Sequence, residues 1–284
     1  MYVIDTGLIR VDADLAHVIV EDYTGSAGST SDHGSAVCTL LSARENDYGI
    51  VGVAPDATVY LADVDDSNYE IFDSAVAQAL YMAYLRNADI VSISLSTTTP
   101  TDRMARAVKL CVDAGILVFA AAGNSGRTQY EYPASFPGVI SVGSCNFRKE
   151  WSRFSTRNDK ISVIAPGEAI SLPDGHGGYK LFSGTSFSCP FAAGLAALDL
   201  SEKRPRNIFL TRTETIQVLG DSLGTTLLVP QSTSEGTNSV LAIGLGILAV
   251  VLVFAIVIHR ARKSTTRSTT RDVSTSKSQT GGSV

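Results

Sequence analysis

At 284 residues the chain has room for one large domain or two small ones, and its 44% apolar and 18% charged residues support a sizeable core and exclude general disorder. A formal net charge of −5 excludes a role for the chain as a whole in holding nucleic acid through its phosphates. Four cysteines, none in a C-x-x-C pair, are too few for a disulfide scaffold and do not suggest a zinc site.

Along the chain, short β-branched runs bounded by turn residues fall at 2–4, 18–20, 59–62, 90–94, 116–121, 139–142 and 161–164. Helical patterns lie between several of them, at 35–43, 69–87, 102–114 and 185–200. This alternation, with nearly continuous apolar strands, predicts an α/β fold in which a mostly parallel sheet is covered by helices on both faces. Residues 1–224 form this domain. Residues 225–238 turn polar and read as a linker.

A nineteen-residue uncharged apolar run follows, Val240 to Ile258. As a helix it would be about 28 Å long, close to the hydrocarbon thickness of a bilayer, so residues 239–259 are expected to form one transmembrane helix in contact with membrane lipid. His259, Arg260, Arg262 and Lys263 come next, whereas 231–239 carry no basic residue. The positive-inside rule then puts the C-terminus in the cytoplasm and the domain outside the cell or in a lumen. Residues 260–284 carry a net charge of +5, leaving −10 for everything before them. They read as a basic, Ser/Thr-rich cytoplasmic tail. The first residues, MYVIDTGLIRV, have no signal-peptide pattern, so either an export signal is missing from this sequence or the chain is inserted by its tail with the domain left in the cytosol; the missing start is the expectation.

Four strings hold candidate chemistry. Asp5 ends the first strand, where open α/β sheets build their sites. An Asp-Thr-Gly also occurs in aspartic peptidases, but that chemistry needs two carboxylates, and no second such string exists. His33, in SDHGSAV, opens a helix, whereas His17 and His176 read as solvated loop residues and His259 as membrane flank. Asn124, in FAAAGNSG, follows a buried strand and could donate its amide to an oxyanion. Ser186, in SGTSFSCPFAAG, sits where a turn runs into an Ala-rich helix, with backbone N–H groups free to face developing negative charge.

Together these strings resemble the subtilisin family of serine peptidases, in the chain order Asp, His, Ser. GVAPDATVYLADV at 52–64, NADIVSISL at 87–95, AGILVFAAAGN at 114–124, YPASFPGVISVG at 132–143 and SVIAPGEAI at 162–170 extend the likeness over roughly 2–220. The resemblance implies a three-layer subtilisin-like fold and a serine endopeptidase acting on polypeptides. Asp5, His33 and Ser186 would be its triad and Asn124 its oxyanion-hole donor, with no cofactor needed for the chemistry. Substrate would lie extended along Ser94, Leu95 and Ser96 on one side and Ala121, Ala122 and Gly123 on the other.

The family's usual Ser-Leu-Gly-Gly is here Ser94-Leu95-Ser96-Thr97, which is expected to narrow or reshape the primary pocket. Ala36 stands where the family has a second histidine, outside the triad. The family also carries a few dozen residues before the first strand, so a missing N-terminal segment is expected. Asp14 and Asn46 match positions of a structural calcium site whose N-terminal ligand has no counterpart. Cys38, Cys111, Cys145 and Cys189 are expected to be buried free thiols, one pair being open to oxidation in an exported domain, and labelling of Cys38 is expected to block the enzyme. The alternative to the peptidase is a non-catalytic, membrane-tethered relative, inactive for want of its N-terminal segment.

Overall fold

Why the chain layers as it does follows from the strands. A computed structural model describes residues 1–8, 13–25, 31–47, 49–66, 71, 73–174, 178–203 and 210–224, Ala13 by its backbone alone. Strand β1 is Tyr2–Asp5 and all four of its residues are buried. Successive side chains point to opposite faces of a sheet: Val3 enters one core, Tyr2 and Ile4 the other. A strand buried on both faces is mostly apolar, which is why β1, β4 (Ile90–Ile93) and β5 (Leu117–Ala121) read as nearly continuous runs, broken by Ser92 and closed by Asp5.

With β2 (Ile19–Asp22), β3 (Tyr60–Asp63), β6 (Ile140–Cys145) and β7 (Ile161–Pro166) they form a seven-stranded sheet, ordered β2-β3-β1-β4-β5-β6-β7. Every pairing in it is parallel. Helices α1 (Asp32–Ser42) and α4 (Thr185–Lys203) pack on one face. Helices α2 (Asp73–Leu85) and α3 (Asp102–Asp113) pack on the other. The three-layer α/β expectation is met.

Four details differ from the sequence reading. α1 begins at Asp32, three residues before the expected start, because Ser31 caps it by accepting from the His33 N–H. α2 ends at Leu85, and Asn87 just beyond takes a positive φ of 49°. A hairpin of β8 (Ile170–Pro173) and β9 (Tyr179–Phe182) went unpredicted because its residues are largely exposed and form no apolar run. So did α5 (Arg212–Leu223), whose mostly polar sequence hides a reciprocal capping box between Thr211 and Glu214.

Among the described residues no helix is long and apolar enough to cross a membrane. The linker at 225–238, the expected span at 239–259 and the tail at 260–284 all lie outside the described residues.

In this strand order the chain passes from β1 to β2 and then β3 on one side, and crosses to β4 on the other. The carboxyl ends of β1 and β4 therefore mark the switch point, where ligand crevices form in open α/β sheets.

Candidate active site

Asp5 is the last residue of β1 and fully buried. Its Oδ1 accepts from the Thr6 backbone N–H at 2.7 Å. His33 reaches the same oxygen because α1 abuts the turn after β1. Gly34 makes that approach feasible: a Cβ there would sit 1.9 Å from the Thr6 carbonyl oxygen, and its N–H donates to Thr6 Oγ1 at 2.8 Å. His33 Nδ1 lies 2.6 Å from Asp5 Oδ1. With Nδ1 donating to the carboxylate, Nε2 is left as the acceptor. The negative charge of Asp5 raises the His33 pKa above its ordinary 6.5, against the opposing effect of burial.

Ser186 stands in the first turn of α4, half-buried, and the next residue, Phe187, packs its ring 5.6 Å from the His33 imidazole. The Ser186 hydroxyl donates to the Ser94 carbonyl at 3.1 Å. In return Ser94 Oγ donates to the Ser186 carbonyl at 2.9 Å. That carbonyl is open to an outside donor because the residue four ahead, Pro190, has no N–H.

Asn124 follows β5, and its side chain is held by one orientation of hydrogen bonds. Its Oδ1 accepts from the Thr185 N–H at 2.9 Å and from Thr185 Oγ1 at 3.0 Å. The Gly123 N–H donates to the same hydroxyl at 3.1 Å. With its oxygen taken, the amide turns its N–H groups outward beside the start of α4, where the first backbone N–H groups lack helical partners. The arrangement is an anion-stabilising corner beside a hydroxyl and a polarised imidazole.

The two expected substrate segments leave β4 and β5 side by side. Ser94, Ala121, Ala122 and Gly123 are buried, Leu95 half-buried and Ser96 exposed. Thr97 forms a bridge with Tyr132, each N–H donating to the other's carbonyl at 2.8 Å. Between the segments lies Glu131, which the sequence reading missed: a lone acid in QYEYP carries no signal of its own. Thr185, Phe187 and Thr156 were missed as well. Thr185 could have been suspected from its place beside the candidate nucleophile.

Other expected residues fall elsewhere. Asp14 and Asn46 do meet, Asn46 Nδ2 donating to Asp14 Oδ1 at 2.6 Å. They offer fewer oxygens than the six to eight that calcium takes, and among the described residues no group of three or more His, Cys, Asp or Glu could hold a metal. His17, expected to be solvated, has both ring nitrogens shut away from solvent, and burial lowers its pKa. His176 and His259 lie outside the described residues. All four cysteines are free and buried, with no pair bridged.

Fold and site define one class of protein. Residues 3–245 match the model of the Subtilase family, and the chain belongs to that family. It is 38% identical over 185 residues to an intracellular serine protease of Paenibacillus polymyxa, covering 63% of this chain and 55% of that one. It is 34% identical over 208 residues to subtilisin E of Bacillus subtilis, covering 70% and 55% respectively. The chain thus spans about half the length of these curated relatives. Among solved structures, a mutant of the protease domain of PatA superposes with a TM-score of 0.68 at 25% identity, covering 81% of this chain and 88% of that one. A cold-adapted subtilisin-like serine proteinase gives 0.66 at 27% identity, covering 76% and 78%.

Proposed function

We propose that the chain is a serine endopeptidase working through Asp5, His33 and Ser186 and tethered to a membrane by residues 239–259. The observation that carries the chemistry is the 2.6 Å contact of His33 Nδ1 with buried Asp5, beside the first turn of the helix bearing Ser186. The tether rests on the apolar run and the basic residues after it.

In the reaction, the Ser186 hydroxyl turns from the Ser94 carbonyl to His33 Nε2. Its oxygen attacks the scissile carbonyl carbon while Nε2 takes the proton. Asp5 stabilises the resulting imidazolium and holds its tautomer. The carbonyl oxygen, now an oxyanion, receives the Asn124 amide and the Ser186 N–H. His33 then delivers its proton to the leaving amine as the C–N bond breaks, leaving Ser186 acylated. Water, deprotonated by His33, attacks the acyl group in the same way and releases the acid and free serine. Nothing in the geometry favours the non-catalytic alternative.

The test is a fluorophosphonate probe on the full chain expressed in membranes. Labelling is expected on Ser186, is abolished in Ser186→Ala, and stays with the membrane pellet after alkaline carbonate washing. Unlabelled folded protein would overturn the peptidase, and release of labelled protein by the wash would overturn the tether. Removing one oxyanion donor, by Asn124→Ala, is expected to cost about 10²–10³ in kcat, a range measured in subtilisin itself.

A further inference from the structure

We propose that Glu131 is the floor of the primary specificity pocket and selects a basic side chain, Lys or Arg, on the acyl side of the scissile bond. The inference rests on the peptidase reading and adds its substrate class.

The carboxylate is placed by the two substrate segments at once. Ser96 Oγ donates to Glu131 Oε2 at 2.7 Å from one segment. On the other, Gly123 comes so close that a Cβ there would lie 1.9 Å from the same Oε2. Gly123 also takes a φ of +98°, so glycine is required there twice over. Thr156 Oγ1 donates to Oε1 at 2.8 Å and Gln129 Nε2 at 3.3 Å. Ser96, Thr156 and Gln129 each donate, the pattern an ionised carboxylate accepts.

Glu131 is only 6% exposed, yet among the described residues it makes no ion pair. Buried charges are normally paired, because an uncompensated one is costly. Three hydrogen bonds supply part of that compensation, and a ligand cation would supply the rest.

Geometry selects the ligand atom. The scissile carbonyl oxygen must lie at Asn124 and the Ser186 N–H, so the side chain of the same residue projects between the segments that flank this corner. Asn124 is the neighbour of Gly123, and adjacent Cα atoms are about 3.8 Å apart. The carboxylate touching Gly123 is therefore one residue's span from the oxyanion corner, within reach of a four-carbon ammonium or a guanidinium. Ser96, at the exposed end, keeps the approach polar. The Ser96 hydroxyl thus does more than narrow the pocket: it orients the acid at its base. An acid at the base of a primary pocket selects basic residues in trypsin by the same physics.

The experiment measures binding, so that it does not depend on turnover. N-acetyl tetrapeptide amides ending in Arg, Lys, norleucine or Glu are titrated calorimetrically into the full-length Ser186→Ala protein. Arg and Lys peptides are expected to bind at least about tenfold more tightly than norleucine. Adding Glu131→Gln, which keeps an acceptor for one of the two hydroxyls and presents an amide N–H to the other, is expected to bring that ratio to within about twofold, while norleucine binding hardly moves. Norleucine binding as well as Arg, a ratio unchanged by Glu131→Gln, or no binding of any peptide would overturn the proposal. A gain for norleucine alone on Glu131→Ala would instead make the side chain a plug. Failure of the peptidase reading shows separately, as absent fluorophosphonate labelling of the unsubstituted chain whose Ser186→Ala form still prefers Arg.

Discussion

The His33 imidazole sits between opposed influences. Burial disfavours its charged form, while the Asp5 carboxylate favours it more strongly, with Asp32 and Asp65 adding to the same side. In the proposed mechanism the base must be neutral to accept the Ser186 proton, so the raised pKa would set the acid limb of activity. The midpoint of kcat/KM against pH is expected above 6.5, the ordinary histidine value. Asp5→Asn removes the largest cause of the shift. It is expected to move the residual activity's midpoint down and to lower kcat on the order of 10⁴, since the amide also permits the wrong tautomer. A pH–rate profile of both proteins on one peptide ester checks this, and an unmoved midpoint would show that Asp5 does not govern the imidazole.

At the scale of elements, helix α4 and strand β4 are joined by an exchange of hydrogen bonds that neither shows alone. An α-helix normally satisfies each carbonyl from the N–H four residues on. Pro190 withdraws that donor from Ser186, and Ser94 Oγ replaces it at 2.9 Å. Ser94→Ala leaves the carbonyl without this donor and is expected to destabilise the protein by about 1–3 kcal/mol in urea titrations. Pro190→Ala restores an N–H at the right position. The Ser94→Ala cost should therefore shrink in that background, and equal costs in both backgrounds would refute the exchange.

What the sequence could reveal follows the same division. The buried strands were legible because burial on both faces leaves a nearly continuous apolar run. Asp5, His33, Asn124 and Ser186 were legible because each closes or opens an element beside turn residues. Glu131 was not, because its meaning comes from Gly123 and Ser96 closing on it from separate strands. The hairpin and α5 were hidden for a related reason: their buried residues are few and scattered among polar ones.

For the molecule as a whole, the sheet divides two separate cores, and free thiols report on each. Cys38 and Cys189 lie in the core beneath α1 and α4, and Cys111 lies in the core beneath α2 and α3. Cys145, at the end of β6, is 2% exposed. Burial pushes the Cys111 and Cys145 thiols up to about 11 and Cys189 to about 12, and it raises Cys38 as well. Thiol reagents attack the thiolate, so both the protonation and the packing oppose reaction. Blockage of the proposed activity by Cys38 labelling, expected from its place five residues beyond His33 in α1, therefore requires α1 to open first. In Ellman's reagent at pH 8 the native chain is expected to release almost no thiol, and in guanidinium all four. If the two cores are lost together, the labelling of Cys38, Cys111 and Cys189 rises with urea along one curve, the one that also abolishes fluorophosphonate labelling. Early reaction of Cys38 and Cys189, with Cys111 still protected, would mean that the face carrying His33 and Ser186 opens on its own. Thiol labelling would then precede global unfolding, and the site would belong to the less stable half of the fold.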